Sequence, residues 1–475
     1  MILNAVSCFQ SFDFSGFYYL LSTAAAALPL AALASQCNCG CGHNHSGDDN
    51  GELDDLRKKI ADLEKSSGGS AELASLYVNA AIVQFESGNE LDDVIADFNK
   101  AEKILKETLA RNENTEIRRA LGNLYLHRAV AFNDYDEYED ALESYDAAVE
   151  TFQPLDDAGD GEAKYDIAGI KLNRGTIKHE IGKLDEAKTD LDESFIAFRA
   201  VEKISDLDTR DFMAKVSVAQ GHLFRDMEEP LNAVVETYNR AMRLYVELID
   251  DGKIDLEREL ANVLMDRCSA YYEEYKKTEF ESEAERIDKT DSVLVDVRRA
   301  VEILQRVADN GNEEAKVDLL YAVSQEGSIL LDLEKYEEAK QIFDGIINDF
   351  ADFADEIDPV LLNHFASAYE SRGFCSLNLD DPEGALPDFN TSIIICEKIQ
   401  SPSFDLEDDE RSLFLPTLAT YYANRANCYA ALGQIDKSRE DGTRGLEIVK
   451  SLKEDIGEEA DELIKIFENL LSQWQ

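Results

Sequence analysis

Apolar and small residues recur along the chain with a spacing that predicts paired helices. Between residues 70 and 450, a small residue is followed after twelve or thirteen positions by a second small or β-branched residue, and four positions later by an apolar one. Offsets of three and four place such residues on one face of a helix. A short polar turn, such as Gly182-Lys183 or Gly433-Gln434, separates the two halves. Each stretch is therefore predicted to form a helical hairpin whose helices cross closely at small residues.

The first small residue of each stretch, called the marker residue below, defines eight units. Most markers are 46 to 48 residues apart. A charged segment, 275–292, is predicted to lengthen the turn inside the fifth unit, and another, 400–412, lengthens the connection between the seventh and eighth units. The markers are Ala81, Ala129, Gly175, Gly221, Cys268, Gly327, Gly373 and Ala426.

This order of small residue, turn, alanine and apolar residue resembles the tetratricopeptide repeat family, most clearly at 174–194, 327–346 and 372–392. The resemblance implies an all-α fold: a right-handed α-solenoid of about eight hairpins over residues 70–450, with a concave groove that binds peptides or proteins. The family period is 34 residues, so the helices here are predicted to extend at their outer ends. The amphipathic segments 51–67 and 456–475 are predicted to be capping helices.

The extra length of each unit is predicted to include outer loops. Two polar segments, 153–162 and 205–211, fall where the second helix of one hairpin is expected to connect to the first helix of the next. Polar segments between periodic stretches are typical of loops.

Candidate groove residues follow from the resemblance, because the first helix of each hairpin lines the groove in that family. Lys215, His222 and Arg225 form a basic patch in a set that is otherwise rich in amides. This contrast suggests a protein or peptide partner with an acidic group or a C-terminal carboxylate. The candidates are Asn123, Asn133, Asn173, His179, Lys215, His222, Arg225, Asn262, Tyr272 and Asn427.

An arginine precedes the marker in five units, and in four of these an Asp precedes the apolar position of the second helix. The two positions face each other in an antiparallel hairpin, and the planar guanidinium suits a carboxylate. Arg128 faces Ser144 instead and is predicted to be left free for another role. The predicted structural ion pairs are Arg174–Asp190, Arg267–Asp296, Arg372–Asp388 and Arg425–Asp441.

Composition excludes two classes of partner and gives no support to catalysis. With 99 acidic and 47 basic residues, the formal net charge of -52 argues against nucleic acid and against an anionic membrane surface. The sequence contains no nucleotide-binding glycine loop, no H-E-x-x-H and no G-x-S-x-G motif. We therefore expect a protein that is not an enzyme.

The N-terminal region, residues 1–35, contains an apolar run at 16–34 and no Lys or Arg. The run is long enough to cross a membrane or to serve as a signal peptide, although the positive start of a signal is missing. Export or membrane anchoring through this segment is one prediction, and a cytoplasmic chain is the alternative.

A Cys/His-rich linker, residues 36–50, follows that run. Cys37, Cys39, Cys41, His43 and His45 alternate with small or polar residues and supply possible ligands for Zn or Cu. Their spacing differs from the C-x₂-C of folded zinc modules, so a flexible linker without metal is the alternative. Two functions stay open: a non-catalytic protein- or peptide-binding scaffold that needs no cofactor, and an envelope-anchored or metal-handling protein in which this segment binds the metal.

Overall fold

The computed structural model describes residues 49–66, 70–201, 206–278, 283–350, 359–402, 404, 406, 411–453 and 458–473. Within these ranges the regular structure is helical, and no strand is present. The chain divides into two compact units, which we describe separately: the first ends at Leu256, and Glu257 begins the second.

The first unit contains one leading helix and four helical hairpins, α2–α3, α4–α5, α6–α7 and α8–α9, followed by a short 3₁₀ turn at Ile254–Leu256. Its helices are α1 (Asp49–Ser66), α2 (Ala71–Glu86), α3 (Leu91–Arg111), α4 (Thr115–Asp134), α5 (Tyr138–Asp157), α6 (Gly161–Glu180), α7 (Leu184–Val201), α8 (Asp206–Asp226) and α9 (Leu231–Asp250).

The second unit contains four hairpins, α10–α11, α12–α13, α14–α15 and α16–α17, and one closing helix that packs on α17. Its helices are α10 (Glu257–Lys277), α11 (Glu283–Asp309), α12 (Glu313–Asp332), α13 (Tyr336–Asp349), α14 (Pro359–Asn378), α15 (Pro382–Ile399), α16 (Leu415–Ala431), α17 (Ile435–Ser451) and α18 (Glu458–Ser472). The predicted all-α fold of consecutive hairpins with a helix at each end is confirmed.

The helices of each hairpin cross at the marker residue, where a larger side chain has no room. A Cβ atom on Gly175 would lie 2.9 Å from Cγ of Leu191, and one on Gly327 would lie 2.7 Å from Cζ of Phe343. Leu191 and Phe343 are buried. The apolar residue of the second helix therefore fills the space above a glycine, as the spacing predicts.

Successive hairpins approach one another more closely through their first helices than through their second helices. In the first unit α2 contacts α4 and α6 contacts α8; in the second, α10 contacts α12, α12 contacts α14, and α14 contacts α16. Contacts of this extent are not found between second helices of neighbouring hairpins in the described residues. The first helices therefore lie on the inner side of each unit, and we call the surface they form its inner face.

Two predicted loops are largely helical. The segment 205–211 is helical from Asp206, because α8 begins there. The charged segment 275–292 is mainly an extension of α11, which starts at Glu283 and is 27 residues long, so the turn inside the fifth unit is shorter than predicted. The loop predicted at 153–162 is also shorter: α5 continues through Pro154 to Asp157.

The described residues of the connection 400–412 bond to one another, and Phe404 among them packs on the second unit. The guanidinium of Arg411 donates to the carbonyls of Ser401, at 2.8 Å, and Phe404, at 2.5 Å. Phe404 and Phe414 are buried in one cluster with Leu362. This connection therefore contributes buried apolar surface to the outer end of the hairpin stack.

The turn inside most hairpins has a left-handed residue seven positions after the marker. Seven of the eight hairpins have positive φ there, and the residue is glycine in only three of them. In the sixth hairpin, Glu334 has φ 57°, and the following amide, of Lys335, donates to the Leu330 carbonyl at 2.9 Å. This six-to-one bond is the Schellman ending of a helix. The seven residues are Gly88, Asp136, Gly182, Glu228, Glu334, Asp380 and Gly433.

We expect opposite effects from two substitutions at this turn position in neighbouring hairpins of the first unit. Gly182 has φ 76° and an added Cβ would meet nothing within 4 Å, so Gly182→Ala introduces backbone strain alone and should destabilise by about 1 kcal/mol. Glu228 has φ 53°, and Glu228→Gly should relieve strain and raise the unfolding temperature. Thermal unfolding of both variants checks this. Shifts of the same sign would contradict it.

Candidate peptide-binding surface

Two asparagines of α4 lie on the inner face of the first unit without satisfying their amide oxygens. Asn123 and Asn133 are six residues before and four residues after the marker Ala129, on one side of the helix. In both, Oδ1 is buried and has no hydrogen-bond partner, although the residue as a whole is only half-buried. Buried polar atoms normally have partners. An unpaired amide oxygen is able to accept a hydrogen bond from a ligand N–H.

The next two candidates, on α6, are engaged within the first unit. Asn173 is 4% exposed and donates from Nδ2 to the hydroxyl of Tyr145, at 3.3 Å. His179 Nε2 lies 2.6 Å from Asp226 Oδ2 of α8. His179 and Asp226 therefore link the first helices of two successive hairpins at the end nearest the inner turns.

The three basic candidates lie on one face of α8 and have partners. Lys215 Nζ is 2.9 Å from Asp211 Oδ2, one turn earlier on the same helix. The ring of His222 packs edge-on against Tyr238, with 6.0 Å between ring centroids. Arg225 is half-buried on the same face. The patch predicted from the sequence is thus brought together, but Asp211 screens part of its charge.

In the second unit the candidates are spread over different hairpins. Asn262 is half-buried on α10. The Tyr272 hydroxyl donates to Asp332 of α12, which repeats the link between first helices seen at His179. Asn427 on α16 is 2% exposed, and its Nδ2 has no hydrogen-bond partner. Sequence reasoning missed one further polar contact on this face, between Glu370 and Asn424.

All four predicted Arg–Asp pairs are present. Each lies where the two helices of one hairpin meet, which we call the seam of that hairpin. In each, the guanidinium donates two bonds to one carboxylate, and the partly exposed arginine covers an Asp that is almost completely buried. The distances from Nε to Oδ2 are 2.8 Å for Arg174–Asp190, 2.8 Å for Arg267–Asp296, 2.9 Å for Arg372–Asp388 and 2.7 Å for Arg425–Asp441.

The structure adds a third partner that the sequence did not reveal. Nη1 of Arg372 lies 2.8 Å from Asp344 on the second helix of the preceding hairpin, and the hydrogen bond to Asp388 is the main cause that raises the pKa of Arg372. Arg174 contacts Asp146 in the same way, at 2.5 Å, and Arg425 contacts Asn390 at 3.0 Å. Arg174, Arg372 and Arg425 therefore each tie their own hairpin together and also tie it to the hairpin before.

Hairpins without the Arg–Asp pair have other polar contacts at the seam. Arg128 donates to Ser144, the residue that it is predicted to face, at 3.2 Å, and to Glu102 of the preceding hairpin at 2.7 Å, so the prediction that it is left free is wrong. In the sixth hairpin the charges are exchanged. Glu326 precedes the marker and accepts from Arg298 of the preceding hairpin at 2.8 Å.

The remaining two hairpins, the fourth and the first, also have polar contacts at the seam. Gln220 donates to Asp192 of the preceding hairpin at 2.6 Å. In the first hairpin of the first unit, where Ala80 precedes the marker, Arg57 of the leading helix α1 lies 2.5 Å from Asp97. Helix α1 thus supplies an arginine to a carboxylate that Lys100 of the same hairpin also contacts, at 3.1 Å.

The predicted metal ligands Cys37, Cys39, Cys41, His43 and His45 lie outside the described residues, as does the apolar run 16–34; metal binding and export or anchoring stay predictions. Among the described residues no cluster of His, Cys, Asp and Glu is suited to hold a metal ion. No helix among them has the length and apolar character needed to span a bilayer. Burial raises the pKa of the thiols of Cys375 and Cys396 to about 12, which disfavours the thiolate, the nucleophilic form.

Comparisons with known proteins found similar solved structures of low sequence identity. No protein-family profile and no curated protein matches it. Similar solved structures are the apo form of RapI (13% identity, 85% of this chain and 97% of that chain covered, TM-score 0.47), and the apo form of the quorum sensor NprR from B. thuringiensis (13%, 90% and 98%, 0.38). A third is a tetratricopeptide repeat protein from Parabacteroides merdae (14%, 73% and 98%, 0.38). The consecutive hairpins described above give this chain a fold of the tetratricopeptide type.

The seam pair Arg174–Asp190 should be energetically coupled. Arg174→Met and Asp190→Asn are each expected to destabilise the first unit by about 1–3 kcal/mol, because each leaves a largely buried polar group with fewer partners. The double variant should lose about 1 kcal/mol less than the sum. A double-mutant cycle by urea unfolding measures the coupling. The exposed pair Arg243–Glu236 is the control, with coupling near zero. Equal coupling in the two cycles would contradict the interpretation.

His127 should make the first unit sensitive to acid. Burial lowers the pKa of this histidine, which is 8% exposed on α4, from 6.5 to about 4. Protonation then favours the unfolded chain, so stability is lost as the pH falls from about 6.5 toward 4. Between pH 7.5 and 4.5, His127→Gln should lose about 2–3 kcal/mol less than the wild type. Comparing the pH-dependent losses removes any pH-independent packing effect of the substitution. Equal losses in urea unfolding at the two pH values would show that His127 titrates normally.

Proposed function

We propose that this protein is a non-catalytic scaffold that binds a peptide or an extended segment of another protein on the inner faces of its hairpins. The observation that carries the proposal is the pair of unpartnered amide oxygens of Asn123 and Asn133 on α4. An extended peptide has an N–H at each residue apart from proline, and an asparagine amide can accept from it. Binding would supply the partners that these two atoms lack.

The finer proposal for the first unit concerns the chemistry of the ligand. Lys215, His222 and Arg225 project from one face of α8 and would attract an acidic side chain or a C-terminal carboxylate. Asp211 already accepts from Lys215 at 2.9 Å, so an incoming carboxylate has to displace an existing partner. We therefore expect moderate affinity and a clear dependence on ionic strength at this patch.

Selection from a random peptide library tests both levels of this proposal. The full-length protein should retain peptides that carry acidic residues or a free C-terminal carboxylate. The variant Lys215→Ala/Arg225→Ala should weaken their binding at least tenfold in calorimetry. Arg243→Ala, on the second helix α9, is the control and should bind like the wild type, because Arg243 is an exposed residue outside the inner face.

Two outcomes would contradict the proposal at different levels. Acidic peptides that bind the double variant as tightly as the wild type would refute the carboxylate assignment. A complete failure of the full-length protein to retain peptides would refute the scaffold function on these faces.

A further inference from the structure

Glu370 carries a carboxylate at a position where the other seven hairpins have uncharged residues. It lies three residues before its marker, Gly373, on the inner face of α14. The side chain is half-buried, and its Oε1 accepts from Nδ2 of Asn424 on α16, the first helix of the next hairpin. The residues at the same position of the other seven hairpins are Val78, Leu126, Leu172, Val218, Met265, Ser324 and Ala423.

The described partners of this carboxyl are neutral. Burial raises the pKa of Glu370 to about 7, while hydrogen bonds from Asn424 and Ser371 act in the opposite direction without cancelling it. The carboxylate is thus partly removed from water, and these partners bring no positive charge to compensate. A cation placed beside it would gain more than one beside an exposed Glu, because water screens the attraction less.

Two amides of α16, the helix that Glu370 contacts, also have unused hydrogen-bonding capacity. Asn424 is 4% exposed and its Oδ1 has no partner; Asn427 is 2% exposed and its Nδ2 has none. The two residues are three positions apart, so their side chains lie on the same side of the helix. Together with Glu370 they offer two acceptors and one donor.

This set of groups matches a basic residue within a peptide. A guanidinium or ammonium donates several hydrogen bonds and would take both the Glu370 carboxylate and the Asn424 oxygen. The Asn427 amide would take a main-chain carbonyl of the same peptide. The charge of the chain, -52, favours the approach of a cationic partner over an anionic one.

We propose that the inner face of the second unit binds an arginine or lysine side chain of a partner peptide, with Glu370 as its carboxylate and Asn424 and Asn427 as its amide contacts. This site lies in a different unit from the basic patch at Lys215, and it rests on the proposed scaffold function only in requiring a peptide ligand. The two sites would read opposite charges.

The test compares peptide selection by the full-length wild type, Glu370→Gln and Glu397→Gln. In Glu370→Gln the new amide keeps an oxygen that accepts from Asn424, so the substitution removes the charge and retains the contact. Glu397, on the second helix α15, accepts from Tyr422 at 2.5 Å and provides a matched loss of one carboxylate outside the inner face. The wild type and Glu397→Gln should enrich Arg or Lys at one peptide position, and Glu370→Gln should lose that enrichment.

Calorimetry with a selected peptide then measures the contribution of the charge. Replacing its Arg with citrulline, which keeps the shape but is neutral, should weaken binding to the wild type at least tenfold and should change binding to Glu370→Gln little. Relative to the wild type, Asn427→Ala should bind both the Arg peptide and the citrulline peptide more weakly, by a similar factor, because the proposed contact of Asn427 is to the peptide main chain.

Several results would overturn the proposal. Unchanged enrichment of Arg or Lys by Glu370→Gln, with an altered unfolding temperature, would show that Glu370 is structural. Free arginine or a polyamine that binds as tightly as the selected peptide would refute a peptide ligand. Retained peptides without any basic preference would refute this site while leaving the scaffold function intact, and failure to retain peptides at all would refute both.

Discussion

The close crossing of the two helices in each hairpin is the constraint on which the rest of the structure depends. At Gly175 and Gly327 the space above the helix is filled by a side chain of the partner helix, so even a methyl group collides. This proximity brings the residue before the marker within reach of the second helix. It thereby decides where an arginine can donate two bonds to a buried aspartate, as Arg174 does to Asp190.

The seam contacts have a common geometry but varied chemistry. Arg372 joins Asp388 of its own hairpin and Asp344 of the hairpin before, whereas Glu326 and Arg298 make the contact between hairpins with the charges exchanged. What the fold requires is therefore a polar bridge at one place, and several residue pairs satisfy it. Because the aspartates are nearly buried, the cost of removing their charge from water offsets much of the attraction to the arginines, and the net contribution of these pairs to stability is modest.

The inner faces differ from the seams in how completely their polar groups are satisfied. Most charged residues at the seams have two or more partners, while amide atoms of Asn123, Asn133, Asn424 and Asn427 have none in the described structure. Such atoms cost stability unless something else pairs with them. Their concentration on the helices that face inward is the feature that links this fold to a binding function, and the carboxyl of Glu370 adds a charge to one of these surfaces.

The sequence by itself determined the hairpins, their number and the four Arg–Asp pairs, because helix periodicity and a short turn fix which residues of one hairpin face each other. It could not show that Arg372 also reaches Asp344, that Arg57 of α1 reaches Asp97, or that Glu370 meets Asn424. Those contacts join different hairpins or a capping helix, and they depend on the rotation and offset between stacked elements. Such quantities are set by packing along the whole helix surface, so only the tertiary structure decided them.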